Sequence, residues 1–183
     1  MDKNTQIYFE NLKSKDKNIQ YEAYTNIMEA TNEQVNWAYE VWDQLKGDLT
    51  HPDHHQRSRA AQFLANLSKS DPSQRMLEDF PAVWEVTKDP KFVTARHSLQ
   101  AIWKVGLAGP KLREVVVDHL VERFRNCENE KNYTLIRSDI IQGLRHLYDV
   151  VKDEEIEQKA LELVDTVEDS KYRKKYLGKW RKK

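Results

Sequence analysis

Residues 71–109, DPSQRMLEDFPAVWEVTKDPKFVTARHSLQAIWKVGLAG, decide the fold. Asp71 and Pro72 read as a helix start, with an N-cap acceptor, a proline at the first helical position, and Gln74 placed to close a capping box. Met76, Leu77, Phe80, Val83 and Trp84 then recur at helical period, and Pro81 predicts a kink or break because it removes a backbone donor and crowds the preceding turn. Beyond a polar turn at Asp89, a second helix carries Val93, Leu99, Ile102, Trp103 and Val105 and ends near Gly106 or Gly109. Two amphipathic helices around one turn make a hairpin too small to bury its own apolar stripe.

The same unit recurs outward in both directions. Its turns fall at Asp16, Asp53, Asp89, Lys131-Asn132 and Asp169, spaced 37, 36, 42 and 38 residues apart. Periods of this size belong to stacked helical hairpins, in which each repeat completes its core against its neighbours. The first unit pairs Ile7, Tyr8 and Leu12 with Ile19, Ala23, Ile27 and Ala30. In the second, Val35, Ala38, Val41, Trp42 and Leu45 face Ala60, Leu64 and Leu67. Pro110 opens the fourth, where Leu112, Val116, Leu120 and Phe124 precede Ile136, Ile140, Leu144, Leu147 and Val151. The fifth holds Ile156, Ala160, Val164 and Val167, then Tyr172, Tyr176 and Trp180. The expectation is all-α, ten helices in about five hairpins, and one domain over residues 1–183, since no stretch has linker composition and none alternates like a strand.

Composition narrows the function classes. The chain is 39% hydrophobic and 33% charged, which suits a folded, soluble domain. Cys127 is the sole cysteine, so neither an internal disulfide nor a thiolate metal site is available, and a cytoplasmic setting is expected. No signal-peptide core and no run of roughly 18 apolar residues is present. The polar N-terminus and charged tail read as chain ends. Net charge is zero, yet residues 171–183 carry eight Lys or Arg and no acid, leaving 22 basic against 30 acidic groups in the preceding 170, a net of −8. Such a split argues against a duplex-binding groove along the whole body.

Pro81 eight residues before Asp89, with Arg96 in the following helix, resembles the first-helix proline, turn aspartate and second-helix arginine of the HEAT/armadillo superfamily. Asp53 with Arg59 matches in the second unit, and Arg137 supplies the arginine of the fourth, where Lys131 replaces the acid. The first unit keeps Asp16 but has Glu22, and the fifth has Asp169 with Lys175. The resemblance implies a right-handed α-α superhelix whose second helices line a concave face, with an Asp-Arg ladder between repeats. A tetratricopeptide array fits less well, its period being about 34 residues.

On those second helices Asn26, Gln62, Gln100 and Gln142 lie 10, 9, 11 and 11 residues after their turns, so stacking would align the amides in a column. Glu22, Glu29, Arg59, Asn66, His97, Lys104, Ser138 and Arg145 flank them at steps of three or four. Amides donate and accept, and a column of them can hold an extended peptide. The reading is a non-catalytic scaffold that binds a protein or peptide through Asn26, Arg59, Gln62, His97, Gln100, Gln142 and Arg145, without a cofactor. The alternative is a nucleic-acid binder, or a relative of the HEAT-like alkylpurine DNA glycosylases, for which Trp103, Asp139 and Arg145 offer the implied aromatic, acid and arginine. The tail, with Lys171, Arg173, Lys174, Lys175, Lys179 and Arg181 between aromatics at steps of four, could contact an anionic partner while its aromatics close the end of the array. His51-Pro52-Asp53-His54-His55 reads as a polar turn with Asp53 capping the next helix, because Pro52 keeps His51 and His55 off one continuous helical face. The deoxyhypusine hydroxylases, another HEAT-repeat family, bind iron through His-Glu pairs, and none of the six histidines precedes Glu.

Overall fold

Asp carboxylates start most of the helices. Asp2, Asp16, Asp53 and Asp153 each accept a hydrogen bond from a backbone N–H of the first turn, and Asp169 accepts from the N–H groups of Lys171 and Tyr172. The computed structural model describes residues 1–181; Lys182 and Lys183 of the basic tail lie outside the described residues. Among those described there are ten α-helices and no strand. They are α1 (Lys3–Asn11), α2 (Lys17–Ala30), α3 (Ala38–Asp48), α4 (His54–Leu67), α5 (Met76–Val86), α6 (Phe92–Ala101), α7 (Pro110–Asn126), α8 (Tyr133–Val151), α9 (Glu154–Asp165) and α10 (Ser170–Arg181). A 3-10 turn over Ser68–Ser70 follows α4, and a 3-10 segment over Ile102–Ala108 extends α6. No helix among the described residues is long and apolar enough to cross a membrane.

The helices pair along the chain as α1/α2, α3/α4, α5/α6, α7/α8 and α9/α10, and the second members also pack on one another: α2 on α4, α4 on α6, α6 on α8 and α8 on α10. One apolar cluster runs from Ile27 to Trp180 through every pair after the first helix. Apolar stripes read from the sequence fill it. Leu112, Val116, Leu120 and Phe124 of α7 are all buried, as are Ile156, Ala160 and Val164 of α9 and Tyr176 and Trp180 of α10. Burial pushes the Tyr176 phenol up to about 12, and its hydroxyl donates to the Thr134 carbonyl.

Four local expectations require correction. α5 begins at Met76 rather than beside Pro72. Asp71 does cap it, but through a loop: its carboxylate accepts from the N–H groups of Arg75 and Met76 and from the Tyr39 hydroxyl, while Gln74 takes a left-handed φ of 53° incompatible with a helix. Pro81 does not break α5, which runs on to Val86. The proline faces solvent, and the carbonyl of half-exposed Leu77, which loses its donor, can be met by water. Val35 precedes α3 and its N–H donates to Ser70 Oγ at 2.8 Å. Val93, expected in an apolar stripe, is 62% exposed, because α6 turns Thr94, Ser98 and Leu99 inward instead.

Candidate binding surface on the second helices

Ion pairs between consecutive hairpins set the register of the second helices. Arg57 on α4 grips Asp89, the next unit's turn residue, with two hydrogen bonds of 2.6 and 3.0 Å. Its third nitrogen donates to the carbonyls of His51 and Pro52, so one guanidinium ties two turns together. Arg96 on α6 holds Asp139 on α8 in the same bidentate way, at 2.8 and 2.9 Å. Burial pushes the Asp89 carboxyl up, but hydrogen bonds from Arg57 and the Lys91 N–H, together with the Arg57 charge, more than reverse this and leave it below the usual carboxylate range. Two Arg–Asp pairs thus link consecutive units, but the partner of Asp89 is Arg57 and not Arg59, and Arg96 meets Asp139 within α8 rather than a turn residue. The remaining expected arginine, Arg137, stays within its own hairpin, donating to the Phe124 carbonyl and pairing with Glu128.

The expected amide column is unevenly available. Gln62 is buried: it accepts from the Tyr24 hydroxyl and donates to Ser58, clamping α4 to α2. Asn26 donates to the Glu22 carbonyl in its own helix. Gln100 is exposed and donates to Asp139 at 3.2 Å, and half-buried Gln142 makes no hydrogen bond among the described residues. His97 is exposed. Arg145 is committed to packing: it pairs with Asp149, donates to the Trp180 carbonyl, and lies over the rings of Tyr148 and Trp180. Asn66, flanking the column, is wholly buried and donates to Thr31 Oγ1 at 2.9 Å.

Trp103, Asp139 and Arg145 therefore do not present three free groups. The Asp139 carboxylate is occupied by Arg96 and Gln100, and the Arg145 guanidinium by Trp180 and Asp149. Trp103 is half-buried, with its Cβ 3.7 Å from where a side chain at Gly143 would begin and its ring 5.3 Å from that of His146.

Cations without matching acids remain on the same helices. Burial pushes the Lys104 ammonium down, the charge of Lys69 adds to the push, and Lys104 has no hydrogen bond or ion pair among the described residues. His146 is likewise lowered, first by burial and then, against the pull of Asp149, by Lys104 and Lys179. The chain matches no protein-family model and no curated protein. Lys104 thus feels Lys69, and His146, whose ring lies beside Trp103, feels Lys104 and Lys179, across the 3-10 segments, α8 and α10. Sequence reasoning placed Lys104 and Lys179 but not their convergence, which depends on how far each helix extends past its neighbour.

At the other end of these helices, the starts of α2, α4 and α6 enclose an open groove of about 360 Å³ lined by Lys17, Tyr21, His55, Arg59 and His97, among others. Burial pushes the Arg59 guanidinium down, with Asp53 and Asp48 pulling it partly back. Asp53, His54 and His55 could bring three ligand atoms within 4.8 Å of one another. Their geometry already serves the helix start, however: Asp53 accepts from the His55 N–H, His51 Nδ1 accepts from the Asp53 N–H, and His54 Nδ1 sits 3.3 Å from Thr94 Oγ1. On α10, Lys171, Arg173, Lys174, Lys175 and Arg181 are exposed and Lys179 is half-buried, with Arg173 donating to the Val167 carbonyl.

Proposed function

We propose that the hairpins stack as a right-handed superhelix of HEAT/armadillo type, and that the protein is a non-catalytic scaffold holding an acidic segment of a partner protein on its second helices. One observation carries the reading: the buried acid Asp139 is neutralised internally, whereas Arg59, His97 and His146 on those helices, and Lys104 in the 3-10 segment that extends α6, make no ion pair among the described residues, in a body whose overall charge is acidic. Exposed Glu22 and Glu29 confine the cations to α4, α6, the 3-10 segment and α8, and a local patch of one sign within a body of the other steers a complementary chain and sets its orientation. Gln100 and Gln142, spaced along the same row, add donors and acceptors for a peptide backbone.

A second reading, single-stranded nucleic acid, is favoured by the half-exposed Trp103 ring beside Lys104, His146 and Lys179, since aromatic and cationic groups together hold bases and phosphates. Fluorescence anisotropy with a labelled Glu-rich peptide and, in parallel, labelled single-stranded DNA separates the two. The Lys104→Glu/Lys179→Glu variant, checked for helicity by circular dichroism, is expected to weaken peptide capture at least tenfold, about 1.4 kcal/mol. Tighter capture of DNA than of peptide, lost in the Lys171→Gln/Lys174→Gln/Lys175→Gln variant at exposed positions of α10 and on raising salt, would move the assignment to nucleic acid. Capture of neither ligand at low salt rejects both.

A further inference from the structure

Arg59 is the exception among the chain's arginines. Every other arginine that is not fully exposed has a hydrogen bond or ion pair: Arg57 and Arg96 grip carboxylates, Arg75 pairs with Asp43, Arg113 donates to the Gly106 carbonyl, and Arg123, Arg137 and Arg145 are multiply bonded. Arg59 is half-buried and makes neither among the described residues. A desolvated guanidinium without a partner is unfavourable in the isolated protein, and a bound anion would relieve it.

The groove it lines is suited to that anion. No Asp or Glu lines it, and Lys17, His55 and His97 line it together with Arg59; Asp53 stands at the head of α4 with its carboxylate engaged by the His55 N–H, and Glu10, Glu40 and Asp48 lie in the adjacent groove on the other side of Arg59. Tyr21 is 70% exposed at the rim, with Tyr24 behind it at a ring separation of 6.3 Å. This chain satisfies a lone carboxylate with a single bidentate arginine, as at Asp89 and Asp139. Four basic side chains around one small groove exceed that need and match a dianion with three acceptor oxygens.

We propose that the groove between α2, α4 and α6 binds a phosphate monoester, with Arg59 as the principal contact, Lys17, His55 and His97 around the phosphate, and Tyr21 against the group that bears it. The proposal deepens the scaffold reading by making a phosphorylated segment the preferred partner. It also stands on a small-molecule test that needs no partner.

Full-length protein is titrated with phenyl phosphate, inorganic phosphate, phenylacetate and phenol, followed by amide and side-chain NMR shifts. Saturable binding of phenyl phosphate is expected, with shifts confined to the starts of α2, α4 and α6, at least tenfold weaker binding of inorganic phosphate and phenylacetate, and none of phenol. Arg59→Gln should lose at least tenfold in affinity while Arg125→Gln, at an exposed arginine, changes nothing. Because Arg59→Gln removes no hydrogen bond or ion pair among the described residues, its melting temperature should stay close to the parent's, so loss of binding is not loss of fold. Equal binding by Arg59→Gln, or phenylacetate binding as tightly as phenyl phosphate, overturns the proposal; inorganic phosphate binding as tightly as phenyl phosphate overturns the role of Tyr21. A short single-stranded DNA that moves the same resonances at lower concentration than phenyl phosphate overturns it in favour of nucleic acid. Phosphate binding without peptide capture rejects the scaffold reading alone, and peptide capture without phosphate binding rejects this site alone.

Discussion

At the scale of single residues, the carboxylates that join neighbouring hairpins control the response to acid. Asp79 accepts from Trp42 Nε1 at 2.9 Å and pairs with Lys46 at 2.6 Å; burial raises its carboxyl, but these partners outweigh burial and hold it below its ordinary value, as Arg57 does for Asp89. Both groups titrate lower folded than unfolded, so their stabilisation is present above the unfolded value of about 3.9 and disappears as pH falls through the folded value. Urea unfolding at a series of pH values should therefore show stability decreasing below about pH 4. Asp89→Asn should lose about 3 kcal/mol at neutral pH, by breaking a largely buried pair, and show a shallower loss in acid; an unchanged acid slope would mean Asp89 is not linked to folding. The sequence pointed to Asp89 as a turn residue and to an arginine six or seven places into the second helix. In the second unit it pointed to Arg59, whereas Arg57 is the residue that reaches Asp89. Two positions apart on a helix, they face about 200° away from each other, and only the placement of the next turn decides which one reaches the carboxylate.

Elements were more legible than contacts, because helices announce themselves through period and caps while their boundaries depend on neighbours. The four-step rows of α7 and α9 predicted their buried faces correctly, whereas the start of α5 was misplaced because Tyr39, on another helix, competes for the Asp71 carboxylate. The aromatic steps of α10 were also legible: Trp180 is buried against α8 and its indole donates to Glu157 at 3.3 Å, as expected of aromatics that close the end of the array. Trp180→Ala should cost about 3–5 kcal/mol by chemical denaturation, while Lys174→Gln with Lys175→Gln should stay within about 0.5 kcal/mol. The C-terminus of α8 offers the opposite change. Lys152 holds a left-handed φ of 55°, its N–H donates to the Tyr148 carbonyl, and its side chain reaches only a 4.0 Å approach to Asp149. Glycine occupies that conformation without the Cβ penalty, so Lys152→Gly should raise stability by roughly 0.5–1 kcal/mol, the gain from relieved backbone strain exceeding the added freedom of the unfolded chain. A lower denaturation midpoint would show that the Lys152 stem matters more than its backbone.

For the whole molecule, the decisive property is that each second helix packs on the second helices immediately before and after it. Stability in such an arrangement is a sum over neighbouring contacts and falls where a helix has a neighbour on one side only. The two ends are not equivalent. α1 buries Thr5 alone and leaves Ile7 48% exposed, and α2 buries only Ala23 and Ile27, so the first hairpin contributes little to the central cluster. α4 buries nine of its residues between α2 and α6, and at the far end α10 is fixed by Tyr176 and Trp180. Amide hydrogen exchange should follow this order, with α1 opening first, α2 and α10 intermediate, and α4 and α8 exchanging only on global unfolding. The phosphate groove straddles the boundary between the weakly held α2 and the strongly held α4, so a ligand bridging Lys17 and Arg59 would tie the weakly held helix to the strongly held one. Saturating phenyl phosphate should slow exchange in α2 more than in α8. Slowing by the same factor in both helices would mean that the molecule unfolds as one cooperative unit, and that neighbour-by-neighbour stacking does not govern its stability.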